Sequence, residues 1–205
     1  MRTAPLTGVV AVALTVAAFL LLGDTPGTGA PGREVRSYYD DHRAQTGVSL
    51  YLLVIAAVLF VFFAACLARA VRDVQPGEWL HRVVLAGGVL LAAGFLVGAA
   101  ITLALLDLSD KSSASPQALQ ALNVLNEDFF IPFVAGMGLM LLATGLATVG
   151  ATGSPVPRWL TWAALVLGVL VFIPWVGFFA FALAGVWVIT ASVLLARRST
   201  PVPEL

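Results

Sequence analysis

One cysteine and one lysine are all this chain of 205 residues contains of either type. The lone Cys66 excludes an intramolecular disulfide and any metal site built on several thiolates, and its apolar setting suits a small core filler. Charge of either sign is scarce, at 11% against a hydrophobic content of 60%. A soluble domain carries roughly twice that charge, so the composition is that of an integral membrane protein. The formal net charge is zero, which leaves no electrostatic case for nucleic acid. No Walker A loop, dinucleotide glycine fingerprint, HExxH or GxSxG elbow is present. The apolar runs hold no lysine or arginine and no central carboxylate. That argues against a voltage sensor, a Schiff-base lysine and the proton relay of an ion-coupled transporter.

Six apolar spans can be placed. The first, Gly8–Leu22, follows Arg2 and is short for a span of ~20 residues; it is either an uncleaved helix or a secretory signal, in which case five spans remain. Residues 24–47 form an external segment, with a Gly/Pro/Thr linker and then REVRSYYDDHRAQTG, which can be helical. Residues 48–198 form the membrane domain and 199–205 a tail. The second span runs from about Val48 to Ala68, ends at Arg69 and Arg72, and turns at Pro76-Gly77. The third runs from about Val83 to Leu106 and carries Gly94-x-x-x-Gly98, spacing that permits close helix approach. The fourth is entered from Ser115-Pro116, a helix start signal. Residues 159–196 contain no charged side chain and would make a helix of roughly 57 Å. Because the hydrocarbon core is only ~30 Å thick, this stretch is expected to break at Pro174-Trp175-Val176-Gly177 into two spans, about 159–173 and 177–196. The fold class expected is therefore all-α, an integral membrane bundle of about six helices.

Orientation follows from the arginines. With both termini inside, Arg2, Arg69, Arg72, Arg82, Arg158, Arg197 and Arg198 face the cytoplasm, against Arg33, Arg36, Arg43 and Lys111 outside; the positive-inside rule favours this arrangement. Eight of the acids fall outside, so that surface sums to −4 and favours cations or a basic partner in a salt-dependent way. With ten arginines to one lysine and abundant Ala, Val, Gly and Leu, the composition suits a GC-rich bacterial coding sequence. The location expected is thus the bacterial cytoplasmic membrane.

The densest polar patterning is at the threshold of the fourth span. On a helix Gln120, Asn123, Asn126 and Glu127 share a face, with Asp128 about 100° round from Glu127, and Pro132 can bend the helix just below. On the external segment Tyr38, Asp41, His42 and Gln45 share a face in the same way. Both faces have plain readings, a solvated helix end and an interfacial collar. The functional reading is that they meet as an outward-facing vestibule for a small molecule, a lipid headgroup or a membrane protein partner. Two alternatives use the same residues: an enzyme of the outer leaflet with Glu127 as general acid or base, and a divalent-cation binder using His42 and the carboxylates. His81 falls across the membrane from His42, so the two cannot share a metal. No metal centre or cofactor is assigned.

The pieces YYDDHR, ALNVLNEDFFIPF, PRWLTWAALVLG and VGFF…VWVITASVLL resemble a family of uncharacterised bacterial multi-pass membrane proteins. The likeness covers most of the chain after about residue 34, and the Leu-Asn-x-Leu-Asn-x-x-Phe-Phe and Pro-Arg-Trp-Leu pieces carry most of it. It implies the helical count and no activity. The linker Thr25–Gly32 has no counterpart in it.

Overall fold

The computed structural model describes residues 3–75, 79–111 and 113–198. Arg2, the Pro76-Gly77 turn and the tail 199–205 lie outside the described residues. The chain is helical throughout, with no strand among the described residues. After a 3-10 turn at Ala4–Leu6 the helices are α1 (Thr7–Leu22), α2 (Gly32–Asp41), α3 (Arg43–Val74), α4 (Leu80–Ser109), α5 (Pro116–Asp128), α6 (Ile131–Thr148), α7 (Arg158–Leu170) and α8 (Val176–Arg198). Five helical stretches are long and apolar enough to cross a membrane: Ala4–Leu22, Arg43–Val74, Leu80–Ser109, Pro116–Thr148 and Val176–Arg198. The protein is an all-α membrane bundle.

Six helices close into a ring: α1 packs on α3, α3 on α4, α4 on α6, α6 on α7, α7 on α8, and α8 returns to α1. A row of rings crosses the interior, with Phe60 against Phe95 at 5.9 Å, Phe95 against Phe133 at 5.4 Å and Phe133 against Phe181 at 5.4 Å. Buried donors of the bundle find backbone acceptors on their own helix or on a neighbouring one. Thr144 donates to the Met140 carbonyl (2.7 Å) and Trp187 Nε1 to the Leu160 carbonyl (2.8 Å), as a low-dielectric interior requires.

Helices α4 and α6 approach each other closely. A Cβ on Gly87 would lie 2.6 Å from the Met140 nitrogen, and one on Gly136 would collide with the Leu91 nitrogen. Gly94 belongs to the same contact, where a Cβ would lie 2.7 Å from the Phe133 nitrogen, whereas one on Gly98 would meet only the Phe129 ring at an ordinary 3.6 Å. The small-residue seam therefore runs through Gly87, Gly94 and Gly136, with Gly98 at its loose end.

Two prolines divide stretches that are continuous in hydropathy. Pro132 has no N–H to offer the Asp128 carbonyl, and the helix stops at Phe129 and restarts as α6, with Val134 N bonding the Phe130 carbonyl at 3.1 Å. Pro174 likewise cannot serve the Leu170 carbonyl. Ile173 N takes it instead at 3.0 Å, tightening the last turn of α7. Trp175 follows in a left-handed conformation (φ 68°), almost fully exposed, before α8 begins. The span expected over 159–173 is consequently a helix of 13 residues, about 20 Å long and shorter than the ~30 Å hydrocarbon core.

Candidate functional site

At the end of the bundle where α1 stops and α3 starts, the linker, α2 and α5 make a cap with its own small core, in which Val35, Tyr39 and Leu119 are fully buried. Glycine sets how closely it closes. A Cβ on Gly32 would fall onto the Pro116 carbonyl oxygen, and Arg36 Nη2 reaches the Ala114 carbonyl at 2.6 Å, so the starts of α2 and α5 are held together. Ser115 caps α5, its side chain accepting from Ala118 N at 3.2 Å, as the Ser-Pro pair suggests.

Of the face of Tyr38, Asp41, His42 and Gln45, Tyr38 and Gln45 reach the end of α1. A helix leaves its last four carbonyls without intrahelical donors. Gly23 N serves Phe19 at 3.3 Å, Gln45 Nε2 donates to the Leu21 carbonyl, and Tyr38 Oη donates to the Leu22 carbonyl. Ser49 Oγ adds a bond to the Ala18 carbonyl at 2.9 Å. His42 lies at the junction of α2 and α3, stacked on Tyr38 at 4.5 Å with Nδ1 2.9 Å from the Tyr38 carbonyl. Asp41 is exposed and accepts from Ser37 at 3.3 Å.

The α5 residues divide among three surroundings. Asn123 is buried and its Nδ2 donates to the carbonyls of Pro26 (2.8 Å) and Gly27 (3.2 Å). Glu127 accepts from Thr25 Oγ1 at 2.9 Å. Asn126 turns the other way, its Oδ1 accepting from Thr102 Oγ1 on α4 at 2.7 Å. Gln120 and Asp128 are exposed. No hydrogen bond or ion pair joins the Tyr38–Gln45 face to the Asn123–Glu127 face among the described residues. The first face holds the end of α1 at residues 21–22, and the second holds linker residues 25–27.

Thr25, Pro26, Gly27, Tyr39 and Thr102 are participants that the sequence left unmarked. The linker composition signals flexibility, and backbone carbonyls as acceptors leave no trace in residue type. Thr102 sits in an apolar run without a polar neighbour. Tyr39 is adjacent to Tyr38, a spacing that puts it on a different helix face.

Two atoms of the cap are buried without a hydrogen-bond partner among the described residues, Tyr39 Oη and Asn123 Oδ1. The amide orientation of Asn123 is fixed, because reversing it would set its oxygen against two carbonyls. Leu119, in the Tyr39 cluster, precedes Asn123 by one turn of α5. Burial first, then the Glu127 carboxylate and Tyr38, push the Tyr39 phenol well above its ordinary value; burial, Asp24 and Glu127 raise that of Tyr38. Among the described residues no group of three or more His, Cys, Asp or Glu is arranged to hold a metal ion. No family model, curated protein or solved structure matches this chain.

Proposed function

We propose that this is a non-enzymatic component of a bacterial cytoplasmic membrane, a member of the multi-pass family its motifs resemble, with both termini inside and the cap outside. On this reading the cap binds a small amine-bearing ligand beneath the linker Thr25–Gly32, between Tyr39, Asn123 and Glu127. The orientation is supported by the arginine-rich opposite end. The ligand reading is carried by the pair of orphaned atoms, Tyr39 Oη and Asn123 Oδ1. A buried polar group without a partner costs about 1–3 kcal/mol, and a bound species is one of the ways a native structure offsets that cost. Asn123 Oδ1 can only accept, Glu127 is an acceptor when ionised, and the cap end carries an excess of acids. A donor-rich cation fits that surface better than an anion or a neutral acceptor. Direct acid–base work by Glu127 with His42 has less support, since Glu127 is engaged by Thr25 and His42 by Tyr38.

The test is the melting temperature of the purified protein in detergent with ethanolamine, choline or acetate added. Ethanolamine should raise it by a few degrees, choline, which has no N–H, should raise it less, and acetate should leave it unchanged. The ethanolamine shift should vanish in Asn123→Leu and shrink in Tyr39→Phe. An ethanolamine shift of the same size in all three proteins, or none in the wild type, would remove the reading.

A further inference from the structure

At the other end of the bundle, on its outer surface between α3 and α4, lies a groove of ≈ 650 Å³. Each wall is one helical stripe. Ala65, Arg69 and Arg72 follow one another at i, i+4 and i+7 along α3, and Arg82, Leu85 and Val89 at i, i+3 and i+7 along α4. Because the helices are antiparallel neighbours, both stripes change character in the same direction. They are apolar over the part nearer the middle of the bundle and basic over the last turns, within about 10 Å of axial rise. Leu85 and Val89 stay 38% and 48% exposed, so the protein itself does not cover the apolar part.

The three arginines are also uncommitted among the described residues. None makes an ion pair or hydrogen bond with another described residue, whereas Arg198, at the same end, donates to the Ser154 carbonyl at 2.6 Å. The nearest acid in the described sequence, Asp73, is exposed and does not line the groove. Positive charge at a span end needs only scattered arginines. Here they converge from two helices above a continuous apolar floor, and that order matches one kind of molecule, an amphiphile with an anionic head and a hydrocarbon tail.

We propose that this groove binds an anionic phospholipid of the surrounding bilayer. The headgroup phosphate sits among Arg69, Arg72 and Arg82, whose guanidinium forks suit phosphate oxygens. One acyl chain lies over Ala65, Leu85 and Val89. Basic pockets between membrane helices take anionic headgroups in this way. The site is independent of the cap, at the opposite end of the bundle.

Native mass spectrometry of the full-length purified protein, titrated with dioleoylphosphatidylglycerol, dioleoylphosphatidylcholine or glycerol 3-phosphate, tests it. The phosphatidylglycerol should bind more tightly than the phosphatidylcholine, and glycerol 3-phosphate should not be retained. Arg69→Gln combined with Arg82→Gln should weaken phosphatidylglycerol binding by about tenfold or more, each basic residue near an anionic surface contributing several-fold. Arg158→Gln combined with Arg198→Gln, which removes equal charge from the same end, should leave it within about twofold. Ala65→Leu, which fills the floor and keeps every arginine, should also weaken it. Equal binding of the two lipids, equal losses in the two arginine pairs, or glycerol 3-phosphate binding as tightly as the lipid would each overturn the proposal. The last of these would mean a soluble anion site.

Discussion

The cap and the groove between α3 and α4 use their polar side chains in opposite ways. In the cap, Tyr38, Gln45, Arg36, Asn123 and Glu127 each bond another part of the same chain, and all but Glu127 donate to backbone carbonyls. At the arginine end, Arg69, Arg72 and Arg82 bond nothing described. Density of polar residues is therefore a poor guide to a binding site. What counts is the remainder once the chain has satisfied its own donors and acceptors. In the cap the buried part of that remainder is two atoms, Tyr39 Oη and Asn123 Oδ1. At the arginine end it is three exposed charges over an apolar trough, which suits something long.

The contrast implies unequal tolerance, and its strongest test is steric. Gly32→Leu should be the most damaging change, because its Cβ falls onto the Pro116 carbonyl and two helix starts must separate. Overpacking of this kind costs about 1–3 kcal/mol and occasionally more. Ala65→Leu, in the open groove, should stay within about 0.5 kcal/mol. Denaturant titration of both variants in the same detergent measures the pair. Similar losses would mean that the arginine end is as tightly built as the cap.

Much of the fold was legible because a membrane restricts the choices. Long uncharged runs can only be helices there, and Pro174 marked a real break while Pro132, expected to bend its helix, accompanies a full interruption, since a missing N–H acts whatever the surroundings. The helix boundaries were less legible. Residues 43–47 read as part of the external segment, yet α3 begins at Arg43, since a polar first turn can stand above the apolar span. Of the cap, the sequence showed which α5 residues share a face but not that the face divides. Asn126 reaches back to Thr102 while Asn123 and Glu127 reach the linker, and only packing decides between directions some tens of degrees apart. Gly94 and Gly98 showed spacing alone. The partner backbones that make Gly87 and Gly136 the tighter contacts lie 49 residues apart in sequence.

A second contrast is in response to alkali. Tyr39 is held in its neutral form by burial, with the Glu127 carboxylate and Tyr38 adding to the effect. Its folded value is raised, so its contribution to stability is complete below the unfolded phenol value of ~10 and is lost as pH climbs beyond it. Just above that pH the unfolded chain releases a proton that the folded one keeps. Stability should then fall by about 1.4 kcal/mol per pH unit for this one group. Tyr38, raised for related reasons, adds to the slope in the same direction. Tyr39→Phe should make the decline between pH 10 and 11 shallower, while Arg69→Gln should leave it unchanged. Identical slopes for Tyr39→Phe and wild type would mean that water reaches the phenol.

The smallest effect concerns how the halves of the cap communicate. His42 stacks on Tyr38, Tyr38 holds the Leu22 carbonyl, and three residues later Thr25 holds Glu127. His42 and Glu127 are thus linked only through a short run of backbone, with no direct bond between them. Groups in contact couple by roughly 0.5–3 kcal/mol, whereas separated ones add within about 0.3–0.5 kcal/mol. A double-mutant cycle of His42→Gln and Glu127→Gln on unfolding free energy should therefore close to within about 0.5 kcal/mol. The same cycle on Thr25→Val and Glu127→Gln should not close, because those side chains share a hydrogen bond at 2.9 Å. A large coupling for the first pair with none for the second would place His42, rather than the linker, against Glu127. The vestibule would then be the direct meeting of two helix faces, and the linker would lie outside it.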